Sequence, residues 1–291
     1  MEMKYKLLKV GSDAELFLLK AGQPYPVCGL VGGTKQDPLP VLGGNGYAVQ
    51  EDNVTLEFNI PPASTAEEFQ DSLSKMLAYL QEEMAKKDLT CQSVSEMLFP
   101  SSLLEQFPQA HIFGCEPDYC VWTKSVNPRP EFIRFMGADR KTVQEFRCAG
   151  YHIHISYTVD EEAPTLEALE ALVKAQDVFL GVPLTLQESG PSQGQYRRRA
   201  YYGRAGAFRP TPYGHEYRVL GSDVLSANPI LNRWIFDANQ RAMDFLNNHG
   251  TDGVAALDAH GLAIRTAIND RNRDSIRAIM TRFFVLPVPI L

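Results

Sequence analysis

Four segments of this chain alternate with a period of two. In each, the alternation separates apolar side chains from a face of acids, histidines or arginine. In "GSDAELFL", Asp13 and Glu15 share a face. In "EDNVTLEFNI", Val54, Leu56, Phe58 and Ile60 form the apolar side and Glu51, Asn53, Thr55, Glu57 and Asn59 the other. In "AGYHIHISY", His152, His154 and Ser156 lie opposite Tyr151, Ile153 and Ile155, and in "GHEYRVL" Glu216 and Arg218 share a face. Successive strand side chains point to opposite sides of a sheet, so residues two apart stand together, about 6.5–7 Å from each other. A shift of one residue would bury every polar group and expose every apolar one, which fixes register strongly. If the four strands form one sheet, it has one apolar and one chemically loaded face.

A sheet facing water is also polar on one side, but lysine is missing from these four sets. Their residue types are those that hold hard cations and anions: carboxylates for Mg²⁺ or Mn²⁺, imidazole for the softer of these, guanidinium for phosphate. Brought onto one sheet, the carboxylates would repel one another, and a bound divalent cation would relieve that conflict. Such a site with arginines nearby suits a phosphorylated ligand held through its oxygens. The familiar loop-built alternatives are absent. The chain has no G-x-x-x-x-G-K-[ST], no G-x-G-x-x-G ("GLVGGT" and "LGGNG" are misspaced) and no G-x-S-x-G.

The 291 residues are 44% hydrophobic and carry a net charge of −7. That is enough for a substantial core, and it speaks against general nucleic-acid affinity. No run approaches the roughly 20 apolar residues of a membrane helix, and the charged "MEMKYKLLKV" does not read as a secretory segment. A cytoplasmic protein is expected, with its five cysteines (Cys28, Cys91, Cys115, Cys120 and Cys148) reduced. The charge is uneven. Arg197, Arg198, Arg199, Arg204, Arg209 and Arg218 face a single acid, Glu216, between Tyr196 and Arg218. This patch reads either as a site for an anion or as a basic loop in solvent.

Residues 4–20 read as two short strands around "VGSDAE", and 47–60 as one strand. "PPASTAEEF" opens a helix ending near Lys87, with Ser64/Glu67 and Thr65/Glu68 both fitting a capping box. Strands are expected over 89–96, 111–116, 145–159 (broken at Gly150) and 215–220. An excursion is expected over 121–140, a helix from Thr165 to Leu180, and a long functional loop over 185–214. Asn228 and Pro229 start a further helix that stops near Gly250. Without regular βαβ alternation, the class is α+β.

The order of these motifs resembles the glutamine synthetase-like fold, in the branch that includes glutamate–cysteine ligases, and most sharply the phage-associated COOH–NH2 ligase family. The residues carrying the resemblance are "GSDAELFL", "EDNVTLEFNIPP", "FGCEPDY", "AGYHIHIS" and "YYGRAGAFRPTPYGHEYRVLGS". It implies a single domain over 1–291, with motifs in 11–222 and a helical part over 228–285. Its fold would be a curved, mostly antiparallel bowl-shaped sheet with helices on the outer face. It implies a carboxylate–amine ligase using ATP and Mg²⁺ (or Mn²⁺), passing through an acyl phosphate and releasing ADP and phosphate. The substrates would be a small-molecule or peptide carboxylate and amine, in a bacterial host, the gene being of phage or prophage origin.

Carried over by motif, Asp13, Glu15, Glu57, His152 and Glu216 match metal ligands, with Glu51 or Asp52 as a companion of Glu57. His154 matches the histidine that reaches nucleotide phosphates, and Arg218 an arginine at the phosphate or transition state. Glutamine synthetase has a further arginine two residues before its E-x-R, where this chain has Gly214; Arg209 or Arg204 is the candidate to supply that charge in catalysis and phosphate binding. The N-terminal β-grasp domain of glutamine synthetase is not expected here. The roles of Glu116, Asp118 and Arg197–Arg199, the general base and the oligomeric state stay open. The competing readings are a metal-dependent phosphoesterase or nuclease using the same groups with water as nucleophile, and a catalytically inactive binding protein of the same fold.

Overall fold

The computed structural model describes residues 3–111, 118–127, 145–187, 198–199 and 202–289. The strand expected over 111–116, most of the excursion expected over 121–140, Cys115, Glu116, Arg197 and much of the loop expected over 185–214 lie outside the described residues. The strands are β1 (Tyr5–Lys20), β2 (Gln23–Tyr25), β3 (Leu39–Pro40), β4 (Ala48–Asp52), β5 (Thr55–Ala63), β6 (Leu89–Gln92) and β7 (Glu96–Leu98). They continue with β8 (Tyr119–Cys120), β9 (Ser125–Val126), β10 (Phe146–Cys148), β11 (Tyr151–Val159), β12 (Ala207–Thr211) and β13 (Gly214–Tyr217). The longer helices are α1 (Ala66–Ala85), α2 (Leu166–Gln176), α3 (Pro229–Ala259), α4 (Gly261–Asn269) and α5 (Arg273–Arg282).

One antiparallel sheet runs β3-β4-β5-β1-β11-β13-β12-β8-β9, with β2 and β6 paired to the far end of β1. Its apolar face, including Ala14, Leu16, Leu56, Phe58, Ile153 and Ile155, forms one core with the inward faces of α1, α2 and α3. The expected α+β architecture is therefore present, with helices on one face of a large antiparallel sheet and a helical C-terminal part. Among the described residues, no helix is long and apolar enough to cross a membrane.

Two expectations change in ways that matter to the site. Residues 4–20 form one 16-residue strand rather than two, because irregularities between Leu7 and Lys9 and between Val10 and Ser12 are absorbed within the pairing. The single strand expected over 47–60 is a hairpin. Asn53 takes φ +55°, a conformation Asn tolerates, and the Thr55 hydroxyl donates to the Asp52 carbonyl at 2.8 Å. The turn pairs Gln50 with Glu57 and Asp52 with Thr55, so Asp52 joins the Glu57 face while Glu51 turns to the other side.

The helices follow their caps. Thr65 caps α1 and Glu68 reaches back to the Ser64 N–H at 2.8 Å. Asn228 caps α3, whose helical path is interrupted at Gly250 (φ +49°), where the sequence places its end; a second helical stretch continues from there to Ala259. α2 ends at Gln176 and passes into a π-helical turn, Asp177–Gly181. The widened turn lets two consecutive side chains bond the underside of β13. Gln176 accepts from His215 Nε2 at 2.6 Å, and Asp177 accepts from the Tyr217 hydroxyl at 2.8 Å.

Candidate active site

Four of the expected strands are neighbours in the order β5-β1-β11-β13, and their polar faces coincide. Register sets Glu15 opposite Glu57, Asp13 opposite His152, and His154 opposite Glu216, with Arg209 of β12 completing that row. Most of these groups are withdrawn from water, with Asp13, His154 and Arg209 only partly exposed. Glu15 and Glu57 are each 7% exposed, His152 3%, Glu216 2% and Arg218 3%, which sets them apart from an ordinary solvated sheet face.

The donors fall into two sets. Ligand atoms of Glu15, Asp52 and Glu57 lie within 4.8 Å of one another, and so do those of Asp13, His154 and Glu216. In the first set burial pushes the carboxyls up, Glu15 to about 8, and the neighbouring negative charges add to this. In the second, burial raises Glu216 to about 7, with Asp13 adding to it. Burial opposes ionisation of Asp13 as well, but the His154 and His152 imidazoles outweigh it and hold that carboxyl well below its usual range.

Both sets fit a divalent cation. The all-oxygen set has the chemistry of a Mg²⁺ site, and imidazole in the other also suits Mn²⁺. The buried His154 Nε2 lacks a well-formed hydrogen bond and stands 3.2 Å from Asp13 Oδ2, aimed into its set.

The two histidines differ in their surroundings. His154, matched to phosphate contact, brings Nε2 into the Asp13–Glu216 set. His152, matched to metal contact, has both nitrogens engaged by the protein. Its Nδ1 lies 2.9 Å from Asp13 and 3.2 Å from Glu216, and its Nε2 lies 2.9 Å from the Tyr202 hydroxyl. Burial, with the nearby Arg218 charge, depresses His152 to about 3 and keeps it neutral. Gly150 makes room for this ring, since a Cβ there would collide with His152 Nε2, and its N–H donates to Glu15 at 2.6 Å.

The arginines also separate. Arg218 pairs with Glu216, has Nε 3.6 Å from the buried Asp118, and lies 5.1 Å over the Tyr202 ring. Arg209 Nη1 is 3.1 Å from Glu216, whereas Arg204 sits exposed in the turn before β12. Arg198 and Arg199 are not solvated. Both are buried, and both donate to the Val219 carbonyl, Arg198 also to that of Leu220. Glu51 serves the loop instead, accepting from the N–H groups of Gly29, Val31 and Gly32 at 2.8–2.9 Å.

Sequence reasoning missed the parts of Tyr202, Tyr213 and Lys35, whose ammonium favours ionisation of both Asp52 and Glu216. They come from loops and turns, where no periodicity marks them.

Residues 128–240 match the family model described as Phage phiEco32-like COOH.NH2 ligase-type 2. Over these residues the chain matches the carboxylate–amine ligase family that its motifs resemble. The matched segment contains both histidines, Arg209, Glu216 and Arg218. No curated protein matches the chain. Among solved structures, a novel glutamine synthase homolog is 12% identical with a TM-score of 0.41, covering 97% of this chain and 67% of its own. A bifunctional glutathione synthetase from Pasteurella multocida is also 12% identical with a TM-score of 0.41. It covers 96% of this chain, which spans 47% of that protein's length.

Proposed function

We propose that this chain is an ATP- and Mg²⁺- (or Mn²⁺-) dependent ligase joining a carboxylate to an amine, with ADP and phosphate as the other products. The observation that carries the reading is the pairing of two three-donor sets on one buried sheet face with Arg209 and Arg218 beside them. The family match over 128–240 supports it independently. The whole chain is taken as one such unit, acting in the cytoplasm of a phage-bearing bacterium on small-molecule or peptide substrates.

Phosphoryl transfer depends mainly on positioning and charge neutralisation. In the proposed reaction a substrate carboxylate oxygen attacks the γ-phosphorus of ATP and ADP leaves. The amine nitrogen then attacks the acyl carbon, loses its proton, and phosphate leaves with the bonding pair. Glu15, Asp52 and Glu57 would hold one cation and Asp13, His154 and Glu216 another; such ions neutralise and orient phosphate oxygens. Arg218, fixed by Glu216, Asp118 and the Tyr202 ring, offers a preorganised fork to a phosphate. Arg209 supplies the second guanidinium.

The test is nucleotide turnover by purified protein with Mg²⁺ and ATP, with and without a host metabolite extract. Extract-dependent ADP and phosphate, lost in Glu57→Gln, is the expected result. AMP and pyrophosphate would mean adenylation and would overturn the acyl-phosphate route.

A further inference from the structure

His154 is an unusual ligand candidate because its two nitrogens face different elements. Nε2 points at Asp13 and Glu216, and Nδ1 lies 2.7 Å from the hydroxyl of Tyr213. Tyr213 belongs to the turn joining β12 to β13, and the turn is locked in place. Gly214 takes φ +150° and presses against β11, where a Cβ would collide with the Ile155 carbonyl oxygen. Tyr157 N–H also reaches the Tyr213 carbonyl at 3.4 Å. The Tyr213 ring lies 6.2 Å from the His154 ring, centroid to centroid, and its outer side is exposed. The hydroxyl is thus held against Nδ1 by the backbone of the strand that also carries Glu216.

We infer that Tyr213 is a positioning residue for His154: its hydroxyl oxygen accepts a hydrogen bond from Nδ1–H and so directs the Nε2 lone pair into the Asp13–Glu216 set, where a divalent cation would be held. This rests on the proposed cation site. A neutral imidazole can ligate through Nε2 only if its single proton sits on Nδ1, and the partner of that proton sets both tautomer and ring orientation. The loss of such partners typically weakens metal affinity by about 10–100-fold.

The experiment is Mn²⁺ binding to the full chain by calorimetry for wild type, Tyr213→Phe, His154→Ala and the double variant, with ¹⁵N chemical shifts of the His154 ring as a second readout. Tyr213→Phe keeps the ring and removes only the oxygen. The expected result is about tenfold weaker Mn²⁺ binding in Tyr213→Phe, no further loss when it is added to His154→Ala, and a His154 ring shifted away from the Nδ1–H tautomer. Wild-type affinity in Tyr213→Phe, or an equal loss in the His154→Ala background, overturns the assignment. Absence of Mn²⁺ binding in the wild type overturns the cation-site reading beneath it.

Discussion

A single glycine explains why the arginine pattern of this chain departs from that of glutamine synthetase. Gly214 shares a strand face with Glu216 and Arg218, so an arginine there would point to the site. The backbone forbids it, because φ is +150° and any Cβ meets the Ile155 carbonyl. On the strand next door Arg209 is the register partner of Glu216, and it is the guanidinium we propose supplies that charge. Two outcomes follow. Gly214→Ala should lose about 2 kcal/mol or more in a urea titration, since strain and collision add. Arg209→Ala should lower ligase turnover about 100-fold while the melting temperature changes little, as expected for a group that stabilises charge developing in the reaction. Most residues of the row were legible beforehand because period two alone groups Asp13 with Glu15, His152 with His154, and Glu216 with Arg218. Asp52 could be named only as an alternative to Glu51, because its face depends on a turn at Asn53 that the unbroken "EDNVTLEF" alternation conceals. The different surroundings of the two histidines were also hidden. They depend on which ring nitrogens Tyr202 and Tyr213 occupy, and both tyrosines lie outside the alternating segments.

At the level of elements, β13 is held from both sides. Beneath it, His215 is fully buried with Nε2 2.6 Å from Gln176 Oε1 and Nδ1 3.3 Å from the Tyr157 hydroxyl, while Gln176 donates to Asn239 of α3 at 2.9 Å. This arrangement satisfies a neutral imidazole protonated on Nε2, and burial depresses His215 to about 3. An unfolded histidine titrates near 6.5. Between these values the unfolded chain binds a proton that the folded one does not, so the stability His215 contributes is complete above pH 6.5 and is lost as pH falls toward 3. His215→Gln should therefore be less stable than wild type at pH 7.5, with the gap narrowing by roughly 1.4 kcal/mol per pH unit below 6.5. Urea titrations from pH 7.5 to 4.5 measure this, and a constant gap would count against it. The helix over 166–176 was legible from its spacing and cap. Its π-helical continuation was not, because the register of Gln176 and Asp177 is set by what they meet across the layer, Gly181 leaving space for the Tyr217 hydroxyl.

Across the whole molecule, an acidic chain of net charge −7 gathers three of its buried acids, Glu15, Glu57 and Glu216, on one sheet face. Glu57 is the clearest case. Burial, then the charges of Asp13, Glu15 and Asp52, raise its carboxyl well above the usual range. Folding therefore favours its protonated form, and its contribution to stability falls as pH rises. Gln50 donates to it from the paired strand, and glutamine at 57 would preserve the shape without the charge. In EDTA at pH 8, Glu57→Gln should melt higher than wild type, by a margin that grows with pH. Added Mg²⁺ or Mn²⁺ should reverse the order. The wild type gains about 2.7 kcal/mol at a cation concentration 100 times the dissociation constant, while the variant, short of one carboxylate in the Glu15–Asp52–Glu57 set, gains far less. Thermal melts of both proteins with and without cation decide the matter. If Glu57→Gln is destabilised in EDTA, the acids are not in conflict. If it is stabilised by cation as much as wild type, Glu57 is not a ligand. Reversal of the order is the specific signature of a sheet face whose mutual repulsion is the cost of a cation site.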